Sequence, residues 1–108
     1  MIDVLIFKDK NGCCQGFDCR GHAGYADAGE DIVCSAVSVL TINTINAIEN
    51  FTDDRFVCIP DEESGLIQVN FQEKLSHDAD LLVKTMIQGL LSIEEIYSSH
   101  IHVEIKEV

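Results

Sequence analysis

The spacing of apolar residues changes four times along this chain, and that alternation constrains the fold more tightly than any bulk property. Ile2, Val4 and Ile6 alternate with other residues as one face of a strand over 2–8, and Leu5 and Phe7 help to cover its reverse. Asn11-Gly12 predicts a two-residue type I′ hairpin turn, since both residue types tolerate positive φ. A second strand follows over 13–21. From Glu30 to Phe51 the spacing becomes helical, with Val33, Ala36, Val37, Leu40, Thr44, Ala47, Ile48 and Phe51 on one stripe. Alternation returns over 55–59 and 66–72, with Pro60, Asp61 and Gly65 expected in the turn between them. Asp78 is placed to cap a second helix over 79–98, whose stripe is Leu82, Met86, Leu90, Ile93 and Tyr97. Gly89 inside it costs about 1 kcal/mol against Ala, which implies a close approach by another backbone. Ile101, Val103 and Ile105 form a last strand.

The order is ββαββαβ. Strands arriving in pairs with helices between the pairs imply an α+β fold, an antiparallel or mixed sheet with two helices packed on one face. At 108 residues the chain is expected to form a single domain, spanning 1–108. The opposite sheet face would be left partly bare, and its apolar residues suggest a homodimer interface.

Charge narrows the partners. Nineteen acidic residues against seven basic give a formal net charge of -12, which repels nucleic-acid backbones and attracts basic proteins. The short apolar start, Met1 to Phe7, has neither the basic beginning nor the cleavage site of a secretory signal. No apolar run is read as approaching the ~20 residues that span a bilayer, so no membrane contact and a cytoplasmic location are expected. Cys13, Cys14, Cys19, Cys34 and Cys58 are an odd number in a compartment expected to be reducing, so each is a filler, a ligand or a reactive thiol. No motif requires a cofactor.

The chemistry concentrates between Gly21 and Ser38. His22 stands at the end of a strand and Cys34 in the first two turns of a helix, separated by a segment, Ala23–Gly29, with Gly24 and Gly29 near its ends. A thiolate attacks carbonyl carbon, and a helix N-terminus and an adjacent imidazolium are the two usual means of stabilising one. Amides at the helix start would receive the oxyanion. Asp31, Cys34 and Ser38 share a helical face at i, i+3 and i+7, so Asp31 is a candidate to orient His22, and Ser38 to hydrogen-bond nearby. The glycine-flanked segment reads as a lid. Against this, a cysteine beside Val33 and Val37 is commonly a small buried hydrophobe. The combination of glycine-flanked loop, helix start, acidic residue and histidine favours catalysis.

The chain resembles the ribosomal-processing cysteine protease family, Prp or YsxB-like, over its whole length. The resemblance is most specific at Gly21-His22-Ala23 and at Gly29-Glu30-Asp31-Ile32-Val33-Cys34-Ser35-Ala36-Val37-Ser38. Ser35 stands where the family often has another small residue. The resemblance implies a His22–Cys34 dyad and a loop closing over bound peptide; no metal site is expected. It also implies a homodimer, and a substrate that is large-subunit ribosomal protein number twenty-seven carrying an N-terminal extension. Cleavage would follow an apolar stretch ending in two phenylalanines. A strongly basic ribosomal protein suits so acidic a chain.

Two rival readings stand beside it. Cys13, Cys14, Cys19 and His22, with Cys34 as a fifth donor, offer zinc ligands, although neighbours on a strand point to opposite faces. A non-catalytic acidic adaptor for a basic ribosomal partner would need the charge without the thiol. His77, His100 and His102 have no evident sequence partners, and Ser76-His77-Asp78 is set aside because triad members are rarely sequence neighbours.

Overall fold

The computed structural model describes residues 1–21, 28–61 and 66–108. Five strands and two helices follow in the expected order: β1 (Ile2–Lys8), β2 (Cys14–Arg20), α1 (Ala28–Phe51), β3 (Phe56–Asp61), β4 (Leu66–Phe71), α2 (His77–Ile96) and β5 (Ile101–Glu107). The sheet runs β3-β4-β2-β1-β5. It is mixed: β1 pairs parallel with β5, and every other pairing is antiparallel.

Handedness then fixes where the helices lie. β2 and β3 both run antiparallel to β4, so they are parallel to each other and α1 is their crossover. By the same pairings β4 and β5 are parallel, and α2 connects them. Parallel crossovers are right-handed. These two step sideways in opposite directions from strands of opposite sense, which puts both helices on one face. α1 lies toward the β3 side and α2 toward β5.

Burial follows from that arrangement. Ile2, Val4 and Ile6 of β1 are buried, and so are their cross-strand neighbours Phe17 and Cys19, then Val69, Ile101 and Val103. Phe17 sits at the centre, with its ring centroid 6.3 Å from that of Phe71, and Phe56 meets Phe71 edge-on at 6.4 Å. From α1 the core receives Val33, Val37, Thr41, Thr44, Ile45 and Ile48. Thr41 is tolerated there because its hydroxyl donates to the Val37 carbonyl at 2.8 Å.

Several local expectations are revised. The hairpin turn is not type I′. Among the described residues only Gly12 has positive φ, at 81°, and its N–H donates to the Asp9 carbonyl. The Asp9 carboxylate accepts from the amides of Asn11 and Cys13, so a side chain rather than a second positive φ holds the turn. Pro60 is in β3, opposite Ile67, rather than in the turn, which an edge strand permits because no outer partner needs its missing N–H. Gly65 lies outside the described residues. Ser76, not Asp78, caps α2, accepting from the Ala79 amide at 3.2 Å. Phe51, expected on the buried stripe, is the last residue of α1 and 77% exposed. A Cβ on Gly89 would come within 2.6 Å of Leu40 Cδ2, so the close neighbour is a side chain of α1, not a backbone.

Residues Ile32–Phe51 of α1 do reach the length and apolarity of a membrane span, contrary to the expectation above. In the fold one stripe of it, Val33, Val37, Thr41, Thr44, Ile45 and Ile48, is buried in the core. The outer sheet face is mixed, with Val57 and Ile59 of β3 exposed on it. Leu5 and Phe7 are half-buried there, but they share it with Asp18, Gln68, Asn70 and Glu104.

Candidate active site

Cys34 is the seventh residue of α1 and half-buried, between buried Val33 and the Val37 turn, with its side chain packed against the edge of the core. It is therefore in the second helical turn. The helix begins two residues earlier than the spacing predicts and takes in Gly29, which was expected to lie in the loop. The amides of Ala28, Gly29 and Glu30, N-terminal to Cys34, have no intrahelical acceptor. Dipole stabilisation falls off within the first turn, so at Cys34 it is weaker than a first-turn position would give. Helical side chains lean toward the N-terminus, which inclines Cys34 toward those amides. Any activation of the thiol thus leans more heavily on a neighbouring base.

Gly21 closes β2 and is half-buried. A Cβ there would stand 2.7 Å from Ile2 Cγ1 and 3.4 Å from Ile2 Cβ. Since Ile2 is buried in the core, the chain can leave the sheet by this route only without a side chain at 21. His22 and Gly24 lie outside the described residues. Asp31 falls in the first turn of α1, and its side chain lies outside the described residues as well. Ser38 stands one turn beyond Cys34 on the same flank, half-buried, and its carbonyl accepts from Thr41 Oγ1 at 3.3 Å.

The other cysteines separate by environment. Cys19 is 5% exposed in the core, and burial, reinforced by the neighbouring Asp18 charge, pushes its thiol up to about 12. Cys14 is buried with Sγ 3.5 Å from the Gly16 carbonyl, and burial raises its thiol too. Both are poor nucleophiles for that reason. They are five residues apart along β2, roughly 16 Å, too far to share one zinc ion. Cys58 fills a strand position in β3, paired with Val69, and is exposed.

The remaining histidines are peripheral. His77 Nδ1 lies 3.1 Å from Asp78 Oδ1 with both side chains exposed, and His102 Nδ1 lies 3.8 Å from Glu94 Oε2. Ser76 Oγ is bonded to Asp54 Oδ1 at 2.5 Å, so Ser76-His77-Asp78 forms no triad.

The family model described as "Cysteine protease Prp" matches residues 1–102. The chain belongs to the Prp cysteine protease family. The ribosomal processing cysteine protease Prp of Staphylococcus aureus (strain NCTC 8325 / PS 47) is 30% identical over 106 residues, covering 98% of this chain and 100% of that one. The Prp of Bacillus subtilis (strain 168) is 28% identical over 107 residues, covering 95% and 96%. Among solved structures, that of S. aureus Prp in complex with a substrate peptide superposes with a TM-score of 0.93 at 29% identity, covering 98% of this chain and 100% of that one. S. aureus Prp with a covalently linked product peptide gives 0.89 at 30% identity, with the same coverage. SMU.848 from Streptococcus mutans gives 0.90 at 27%, covering 100% and 99%. A Prp protease is an enzyme that uses a cysteine, which favours the catalytic reading of this chain over the adaptor and zinc readings.

Proposed function

We propose that this Prp protease trims the N-terminal extension of large-subunit ribosomal protein number twenty-seven, with Cys34 as nucleophile and His22 as base. The observation that carries the reading is the chemistry of the described cysteines. Cys14 and Cys19 are held protonated by burial, while Cys34 is half-buried on a helix flank one turn from free amides. Gly21, which precedes His22 in the sequence, packs against Ile2 with no room for a side chain. The match to S. aureus structures holding a substrate peptide and a covalently linked product supports a peptide substrate and a covalent intermediate.

In the proposed reaction His22 takes the Cys34 proton and the sulfur attacks the carbonyl carbon that follows an apolar Phe-Phe segment. The amides at the start of α1 receive the oxyanion. As the C–N bond breaks, His22 returns the proton to the leaving amine, leaving a thioester on Cys34. Water, deprotonated by His22, attacks that carbonyl, and the C–S bond breaks to release the carboxylate and restore the thiol. Asp31 orients His22, Ser38 hydrogen-bonds at the flank, and the segment with Gly24 closes over the peptide. The net charge of -12 draws in the basic substrate, and the reaction belongs to a reducing cytoplasm.

The test is mass spectrometry of a synthetic extended N-terminus incubated with the protein under reducing conditions. One cut after the Phe-Phe pair is expected, with Cys34→Ala inactive and His22→Ala slower by about 10²-fold or more. An intact peptide, or trimming that persists in Cys34→Ala, would refute the reading.

A further inference from the structure

β5 is an edge strand, and its free side is closed at one point by a side chain from α2. The Val108 amide donates to the Lys8 carbonyl at 2.8 Å, and the His100 carbonyl accepts from the Ile2 amide at 2.9 Å. Even-numbered residues of this segment therefore turn their backbone groups toward β1. Backbone groups alternate sides along a strand, so those of Val103, Ile105 and Glu107 point outward, where no strand pairs with β5. An open edge of this kind is a template for another chain. At Val103 it is covered. Glu94, near the end of α2, reaches the edge, and its Oε2 accepts from the Val103 amide at 2.6 Å.

The part of the edge beyond Val103 matches itself. Two copies related by a two-fold axis would pair β5 with β5 antiparallel, and outward groups meet where odd-numbered residues face odd-numbered ones. Centred on Ile105, the pairing sets Glu104 opposite the partner's Lys106 and Lys106 opposite the partner's Glu104, on the sheet face that carries Leu5 and Phe7. Moving the centre to Glu104 or to Lys106 would set like charges directly opposite each other, which destabilises a strand pair. The complementary register is thus singled out by charge. Glu104, Lys106 and Glu107 are exposed, and Ile105, on the inner face, is 50% exposed and would meet its own copy.

In that register Val103 faces the partner's Glu107, whose carbonyl must accept from the Val103 amide. Glu94 already holds a carboxylate oxygen in that position. The contact takes away the donor and sets a negative charge against both the incoming carbonyl and the partner's Glu107 side chain. We infer that β5 is a latent self-pairing strand, and that Glu94 is the latch that keeps two copies from joining through it. The inference does not rest on the protease reading, because neither Glu94 nor the β5 edge takes part in the proposed chemistry.

The test is light scattering behind size-exclusion chromatography on the full-length chain at several hundred micromolar. Glu94→Ala is expected to raise the mass at least twofold over the native chain, and so is Glu94→Asp, which keeps the charge but is one methylene too short to reach Val103. In a mixture of isotope-labelled and unlabelled Glu94→Ala chains, carbodiimide should join Glu104 to Lys106 in cross-links that carry one chain of each kind. Adding Lys106→Glu to Glu94→Ala should return the native mass, and adding Glu104→Lys to that pair should restore association. In the native chain, the Val103 amide should exchange with deuterium roughly tenfold more slowly than the amides of Ile105 and Glu107. Folded Glu94→Ala and Glu94→Asp proteins that keep the native mass would overturn the inference. So would larger species that lack the mixed cross-link, or a native chain that forms it as readily. Should both variants fail to fold, equal exchange at Val103, Ile105 and Glu107 of the native chain would show that no latch exists.

Discussion

A thiol's surroundings decide what it can do, and this chain displays the range within one small domain. Cys19 faces Val4 and Ile67 in the core, and burial lifts its thiol from 9.0 to about 12. A folded-state value raised above the unfolded one means that the protonated thiol stabilises the fold fully below pH 9. That contribution is lost as pH rises from about 9 toward 12. Urea titrations at pH 8 and pH 10.5 should therefore show a larger alkaline loss in the native sequence than in Cys19→Val, by roughly 2 kcal/mol. Equal losses would mean that Cys19 does not titrate with unfolding. The spacing of Cys34 relative to a helix start and a histidine was readable in the sequence. Its place within the first two helical turns was readable too; the helix start was not, because α1 takes in Gly29, a residue that favours neither helix nor a firm boundary.

At the scale of elements, the strand and helix order followed directly from apolar spacing, whereas the joints did not. Joints are settled by side chains that meet only after folding. Asp54, beyond the end of α1, accepts from the Ser76 amide at 2.8 Å and from Ser76 Oγ at 2.5 Å, tying the α1–β3 connection to the cap of α2. Nothing local in Asp54 or Ser76 announces a partner 22 positions away. Burial opposes the Asp54 charge, but the bonds from Ser76, with a lesser one from Thr52, leave its carboxyl below the usual range. Such a group stabilises the fold above the unfolded carboxylate pKa of ~4 and loses that contribution as pH falls through it. Ser76→Ala should cost about 1 kcal/mol at pH 7, a fall in Tm of roughly 5 °C, and less at pH 3. A penalty equal at both pH values would separate the cap from Asp54. Pro60 was assigned to a turn for the same reason that joints are hard to read: its tolerance in β3 depends on that strand being at the edge, a tertiary fact.

For the whole molecule, alternating patterns identified the core face and an outer face on which Leu5, Phe7, Val57 and Ile59 lie among polar residues. Leu5 and Phe7 share the outer face with polar neighbours contributed by β2, β4 and β5, a mixture visible only once strand order is known. A second uncovered apolar surface is the groove between α1 and α2, where Val39 is 69% exposed and Ile42, nearby on α1, 45%. A homodimer is therefore proposed to form through this groove. Light scattering behind size-exclusion chromatography should give twice the 12.0 kDa chain mass, and Val39→Asp should return the single mass. A native chain that elutes as a monomer at tens of micromolar would exclude the dimer.

The account as a whole rests on the sulfur of Cys34 becoming bonded to the substrate's carbonyl carbon. Acid quenching within the first turnovers, followed by intact-protein mass spectrometry and peptide mapping, reads that bond directly. The expected result is a mass increase equal to the N-terminal product fragment less one water, mapped to Cys34, and absent from Cys34→Ala. Cleavage that proceeds with no adduct in a quench shown to preserve thioesters, or with the adduct on another cysteine, would contradict it.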